Sequence, residues 1–295
     1  MKRFPFSQPN RNRPLVPEDV AWLAHTRYWH QFTVTEQIRA NQFMGLVINE
    51  LCLALELGLV NIGLHAAMTA KEVRSNSNLG LRLTSLFADE ERHALWFTAY
   101  NQAFAPELYV GTGFHFLTPS PTMRQMGMTL ARVPGAWRVS AWLVLAIEEW
   151  SCGLAERFDR EPEGPLGKRD SAFLSLHLAH YREEQRHVAI DAELINRSRQ
   201  RVPHWFQPWF VRFVHTCVQQ IMRPRRSVPT MITQFVSEFP RWRPEYKNMV
   251  RDTLAVGRHP DYWNRSSIGH STPVTIAQAS AWGWKWPTSV LNNHD

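Results

Sequence analysis

Cysteine is scarce: Cys52, Cys152 and Cys217 are the three in 295 residues. An odd, widely spaced set excludes a disulfide framework and a cysteine zinc site and points to a reducing compartment. A glycine-rich dinucleotide fingerprint and a cysteine cluster are both missing, so any electrons the protein uses come from outside the chain. The stretch from Met1 to Pro14 lacks the continuous apolar run of a signal peptide, and a cytoplasmic location is expected. Basic residues are missing from Ala40 to Ala70, but Asn49, Glu50, Glu56, Asn61 and His65 interrupt that run. Two carboxylates in lipid cost several kcal/mol, so the segment reads as a helix buried in protein and no membrane is expected. Acidic residues are missing from Leu194 to Ser237, where Arg197, Arg199, Arg201, Arg212, Arg223, Arg225 and Arg226 concentrate the formal charge of +7. Such a segment is a solvated basic surface or a face for an anionic partner.

What is present is ordinary globular material, 44% apolar and 20% charged, with an unusual 13 Trp and enough length for a sizeable core. Strand-like alternation is nearly absent. Helix-length apolar segments run about Glu36 to Lys71, Asn78 to Phe104, Pro134 to Arg160 and Asp170 to Arg199, with further helices at His204 to Met222 and Thr230 to Phe239. Pro and Gly mark a long connection through Ala105–Gly113 and Thr118–Thr122, and a short one at Glu161–Gly167. The expected fold is all-α: two helix hairpins joined by a long crossover, a four-helix bundle with additions. Residues 1–255 form the helical domain, with the bundle at about 36–199 and flanking helices at about 204–255. Residues 256–295 show no helical period and read as an irregular Trp-rich strap, or a lid.

The chemistry lies in a repeat. Asp89-Glu90-Glu91-Arg92-His93 and Glu183-Glu184-Gln185-Arg186-His187 both read acid-Glu-x-Arg-His. A bare Glu-x-x-His arises by chance roughly once in such a chain, but the longer string twice does not. On a helix, residues three apart share a face. Glu90 and His93 fall on a stripe with Leu83, Leu86, Phe87, Ala94 and Phe97, while Asp89, Glu91 and Arg92 point elsewhere. An unpaired carboxylate on an apolar stripe is costly unless something binds it. The second copy adds His180 one turn before Glu184 and His187, and His177 and Asp191 extend that face as supports for the histidines.

Paired Glu-x-x-His helices make a binuclear site when each remaining helix adds one Glu. In the third segment Glu148 is preferred over Glu149, because its face carries Ala141, Val144, Leu145, Cys152 and Ala155. In the first, amphipathicity does not separate Glu50 from Glu56. Spacing favours Glu56, whose separation from Glu90 nearly equals that of Glu148 from Glu184. The ligand set is therefore Glu56, Glu90, His93, Glu148, His180, Glu184 and His187. Carboxylate and imidazole donors suit two iron ions, with manganese as the substitute. The plainer alternative, salt-bridged carboxylates and satisfied core histidines, explains either pair alone better than it explains four successive helices.

On these residues the sequence resembles the ferritin-like di-iron carboxylate proteins, and within them the p-aminobenzoate N-oxygenase family, whose four Glu and three His include the extra His that His180 matches here. The resemblance covers about Glu36 to Arg199, a little over half the chain. It implies a non-haem di-iron monooxygenase that uses O2 and an external electron donor to oxidise an amine, through hydroxylamine, to a nitroso or nitro product. Expected partners are a small amine, aromatic in the family, free or tethered to an acidic carrier protein; a reductase; and a second copy as homodimer. A carbon hydroxylase or desaturase would use the same ligands. A metal-storage or catalase-like protein, or a helical module binding nucleic acid through the arginine segment, are the competing classes.

Overall fold

Three of the long helices start at a side chain that satisfies free N–H groups. In the computed structural model, which describes residues 6–117, 135, 137–199, 202–221, 227–257, 262 and 272–286, α1 (Val34–Ala54) opens on a reciprocal cap. The Thr33 amide donates to Glu36 at 2.7 Å, and the Thr33 hydroxyl accepts from the Glu36 amide. The helical path continues through a π-helical turn at Leu55–Val60 into α2 (Asn61–Thr69). A short α3 (Lys71–Arg74) precedes α4 (Ser77–Phe104), which Asn76 caps by accepting from the Leu79 amide at 3.0 Å. Across the long connection stands α5 (Trp137–Arg160). A minimal antiparallel pair, β1 (Glu163–Gly164) and β2 (Gly167–Lys168), then leads to α6 (Ser171–Arg199).

These helices close a ring: α1 packs on α4, α4 on α6, α6 on α5, and α5 on α2. Large rings fill the interior, with Phe43, Phe97, Phe104, Trp142, Phe158 and Phe173 fully buried. Asp170 ties three parts together. It accepts from the Phe173 amide at 2.7 Å as the cap of α6, from the Tyr100 hydroxyl at 2.9 Å and from the Asn10 amide at 2.7 Å. The stretch Val34–Thr69 is long and apolar enough to cross a membrane by length and composition, but 76% of its apolar window is buried within the fold.

Around the bundle lie α7 (Gln207–Ile221), α8 (Ser227–Glu238), α9 (Tyr246–Val256) and α10 (Pro273–Ala281). The last corrects the expectation of an aperiodic tail. Pro273 sits at the helix start, where its missing N–H costs nothing, and α10 packs against α5 and α6. Trp282 is fully buried edge-on to Trp142 at 5.3 Å. Trp263, also expected in the strap, lies outside the described residues.

Glu36 links the bundle to the additions: Arg241 donates to both its oxygens and the Trp242 indole donates at 2.8 Å. Burial pushes this carboxyl up, but Arg241, the Thr33 amide and Trp242 outweigh it and hold the pKa below 4.5. A depressed folded pKa stabilises above the unfolded value and is lost as pH falls through the folded one. Glu36→Gln should therefore lower unfolding free energy by about 1.5–3 kcal/mol near neutral pH. In chemical denaturation the gap to wild type should shrink well below pH 4.5.

Candidate metal centre

The four core helices deliver their acidic and imidazole side chains to one place. Glu56 comes from the π-helical turn, a distortion that widens the helix and often marks functional sites. Glu90 and His93 come from α4, Glu148 from α5, and His180, Glu184 and His187 from α6. All seven are buried. Two overlapping groups form, Glu56 with His93, His180 and Glu184, and Glu90 with His93, Glu184 and His187. Within each group one ligand atom per residue lies within 4.8 Å of the others. Glu184 is common to both, approaching His180 Nε2 at 2.9 Å and His93 Nδ1 at 3.1 Å through Oε1, and His187 Nδ1 at 3.3 Å through Oε2. Glu148 belongs to neither group, but lines the same small cavity as Glu56, Glu90, His180 and Glu184.

Several of these atoms are orphaned. Both oxygens of Glu148 and Glu184, one each of Glu56 and Glu90, and the Nδ1 atoms of His93 and His187 make no hydrogen bond. His187 Nδ1 stands 2.9 Å from Glu90 Oε1, yet neither is satisfied. The two atoms are close without hydrogen-bond alignment. Buried orphans are costly, and this donor set, oxygen and imidazole with no thiolate among the ligands, fits iron or manganese.

Electrostatics show the same demand for positive charge. Burial opposes protonation of His93 and His187, but Glu183, Glu184 and Glu90 outweigh it at His93, raising it to about 11, and Glu184 and Glu90 raise His187 to about 10. Glu184 is held well below the carboxylate range because its three histidines overcome its own burial. Glu148 is pushed well above that range by burial, then by Asp191, Glu184 and Glu90. Burial likewise lifts Asp191 to about 8. Metal binding to such a cluster displaces protons from its ligands.

Two supports differ from the sequence expectation or were absent from it. Asp89, expected to point away, is buried beside His187, its Oδ2 3.4 Å from Nε2. Glu183 meets His93 Nε2 at 2.7 Å. The acid before each Glu thus supports the histidine of the other helix, leaving each Nδ1 facing inward. Arg92 bridges Asp89 and Glu183 at 2.6 Å each. The repeated leading acid carried this signal. Conversely, His177 supports no histidine: its Nε2 bonds Asn49 at 3.0 Å and its ring packs on Phe97, Phe158 and Phe173. Asp191 is buried beside the cluster, where its charge adds to the burial that raises Glu148.

The alternative ligands are occupied elsewhere. Glu50 accepts from the Tyr109 hydroxyl at 2.6 Å and from the amides of His115, Phe116 and Leu117. Glu149 accepts from the amides of Val274 and Thr275 and from the Thr275 hydroxyl, at 2.6–2.7 Å, as the anion at the start of α10. No family model matches this chain, and no curated protein matches it.

Glu56→Gln and Glu148→Gln should lower bound iron or manganese measured by elemental analysis. Glu50→Gln and Glu149→Gln should keep the metal while unfolding at lower temperature, each by about 1–3 kcal/mol. Metal loss confined to the second pair would reverse the assignment.

Proposed function

We propose that this protein is a ferritin-like, O2-dependent di-iron N-oxygenase that oxidises an amine, aromatic by preference, through hydroxylamine to a nitroso or nitro product. The observation that carries the reading is His180 in the same buried cluster as the two Glu-x-x-His pairs, its Nε2 3.0 Å from Glu56 and 2.9 Å from Glu184. Two irons held by Glu56, Glu90, His93, Glu148, His180, Glu184 and His187 would supply reductive activation of O2 and oxygen transfer to nitrogen.

The chain's own residues orient the histidines and line the cavity. Glu183 and Asp89 fix the rings of His93 and His187 through Nε2. Leu55, Val60, Ile147 and Trp150 give the cavity apolar walls. The electrons come from an external reductase, and the amine arrives free or on a carrier.

A second reading has one observation in its favour. The cavity encloses about 20 Å³, room for a water or a diatomic molecule, so an amine reaches the centre only when wall side chains swing aside. A di-metal protein handling only O2 or peroxide fits that space as it stands. Peroxide disproportionation without reductant or amine would establish it.

Protein loaded with iron and reduced should bind about two irons per chain and convert an arylamine to hydroxylamine and nitro products, detected by mass spectrometry with 18O2. Glu184→Ala and His187→Ala should lose metal while far-UV circular dichroism stays helical. His180→Ala should weaken metal binding or alter turnover. Wild-type metal content and products in that variant would remove the N-oxygenase reading.

A further inference from the structure

Four large aromatic side chains stand in solvent along one short stretch: Trp205 is 75% exposed, Phe206 42%, Trp209 64% and Phe213 56%. They belong to α7 and the 3-10 turn His204–Phe206 that leads into it. The opposite face of α7 is already used, with Phe210, Val211, Val214 and Val218 buried in the fold. This helix is thus apolar on two faces, and its own packing explains only one. Trp205, Trp209 and Phe213 recur every fourth residue, a row of about 12 Å along the axis. Arg212 lies exposed beside the row. An exposed aromatic patch of this kind marks an interaction surface.

Charge selects the partner. No acidic residue occurs in the sequence from Leu194 to Ser237. Among the described residues of that stretch Arg199 and Arg212 are exposed, the Arg199 carbonyl accepting from Gln207 Nε2 at the start of α7, while Arg197 pairs with Glu193. The border of the aromatic row therefore favours an anionic partner whose interior is apolar. Two Trp and two Phe projecting from one helix flank, with arginine at their border, suit insertion of the rings at headgroup level while the opposite face stays packed on the fold. A single-stranded nucleic acid would want a groove tracking its backbone between the stacked rings, and these rings project from a single helix. The reasons against a spanning helix concern Ala40–Ala70, and they do not bear on a helix that lies flat on a membrane.

We propose that the aromatic face of α7, Trp205, Phe206, Trp209 and Phe213 with Arg212, docks the protein onto an anionic phospholipid surface. This assignment does not depend on metal or on any activity. The full chain should co-sediment with phosphatidylcholine vesicles containing phosphatidylserine, and far less with phosphatidylcholine alone. The triple variant Trp205→Ser, Trp209→Ser, Phe213→Ser changes only exposed side chains and should lose at least about tenfold in partitioning. Arg212→Glu, which leaves the aromatic row intact, should lose at least about fivefold. Absence of binding to the anionic vesicles, or equal binding by the triple variant with native circular dichroism, overturns the proposal. So does lipid-free dimerisation, or binding of a single-stranded oligonucleotide, that the triple variant abolishes, since either assigns the face to a different partner.

Discussion

Burying carboxylates is the constraint around which this fold is arranged. Glu56, Glu90, Glu148, Glu184 and Asp191 all lie inside one bundle with three imidazoles among them. Desolvation opposes their ionisation, and an ion cluster of this kind stands only if opposite charge is supplied close by. The carboxylates around His93 and His187 raise both imidazoles, which can supply part of it. Neither oxygen of Glu148 has an aligned hydrogen-bond partner. A pair of divalent cations would supply that charge, and this is the ground of the metal reading proposed above.

The same protein shows what structural buried carboxylates look like. Asp170, Glu36, Glu50 and Glu149 are as deeply buried as the carboxylates of the cluster, yet each is surrounded by donors from backbone amides, hydroxyls or guanidinium. They close helix starts and fasten peripheral segments to the bundle. The distinction between the two kinds of carboxylate is therefore one of satisfaction, not of burial. Glu50 lies near Glu56 on the first helical run, and the loop amides that turn towards it decide that it is a clamp.

The crosswise support of the histidines follows from antiparallel repetition. When two copies of one five-residue string face each other across the α4–α6 contact, the leading acid of one falls beside the histidine of the other. Arg92 joins both acids and holds the two supports together. Orientation of the ring nitrogens is thus settled by the partner helix, so neither half of the site is complete alone.

The helical class, the four long helices, and Glu90, His93, His180, Glu184 and His187 as one-faced candidates were legible in the sequence, because helical period and three- or four-residue spacing are local properties of the chain. Glu56 over Glu50 and Glu148 over Glu149 rested on weaker signals, spacing and small neighbours, and the structure places the preferred residues at the cavity. The supporting roles of Asp89 and Glu183 showed only as a repeated leading acid, without the histidine each would meet, and the helix Pro273–Ala281 and the absorption of His177 by Asn49 and three phenylalanines were not legible. Each depends on which donor another segment brings within 3 Å or so, and hydrogen-bond satisfaction is decided between helices. Local sequence thus determined which faces carry charge and which carry rings; only tertiary packing decided which buried carboxylates were given partners and which were left facing a cavity.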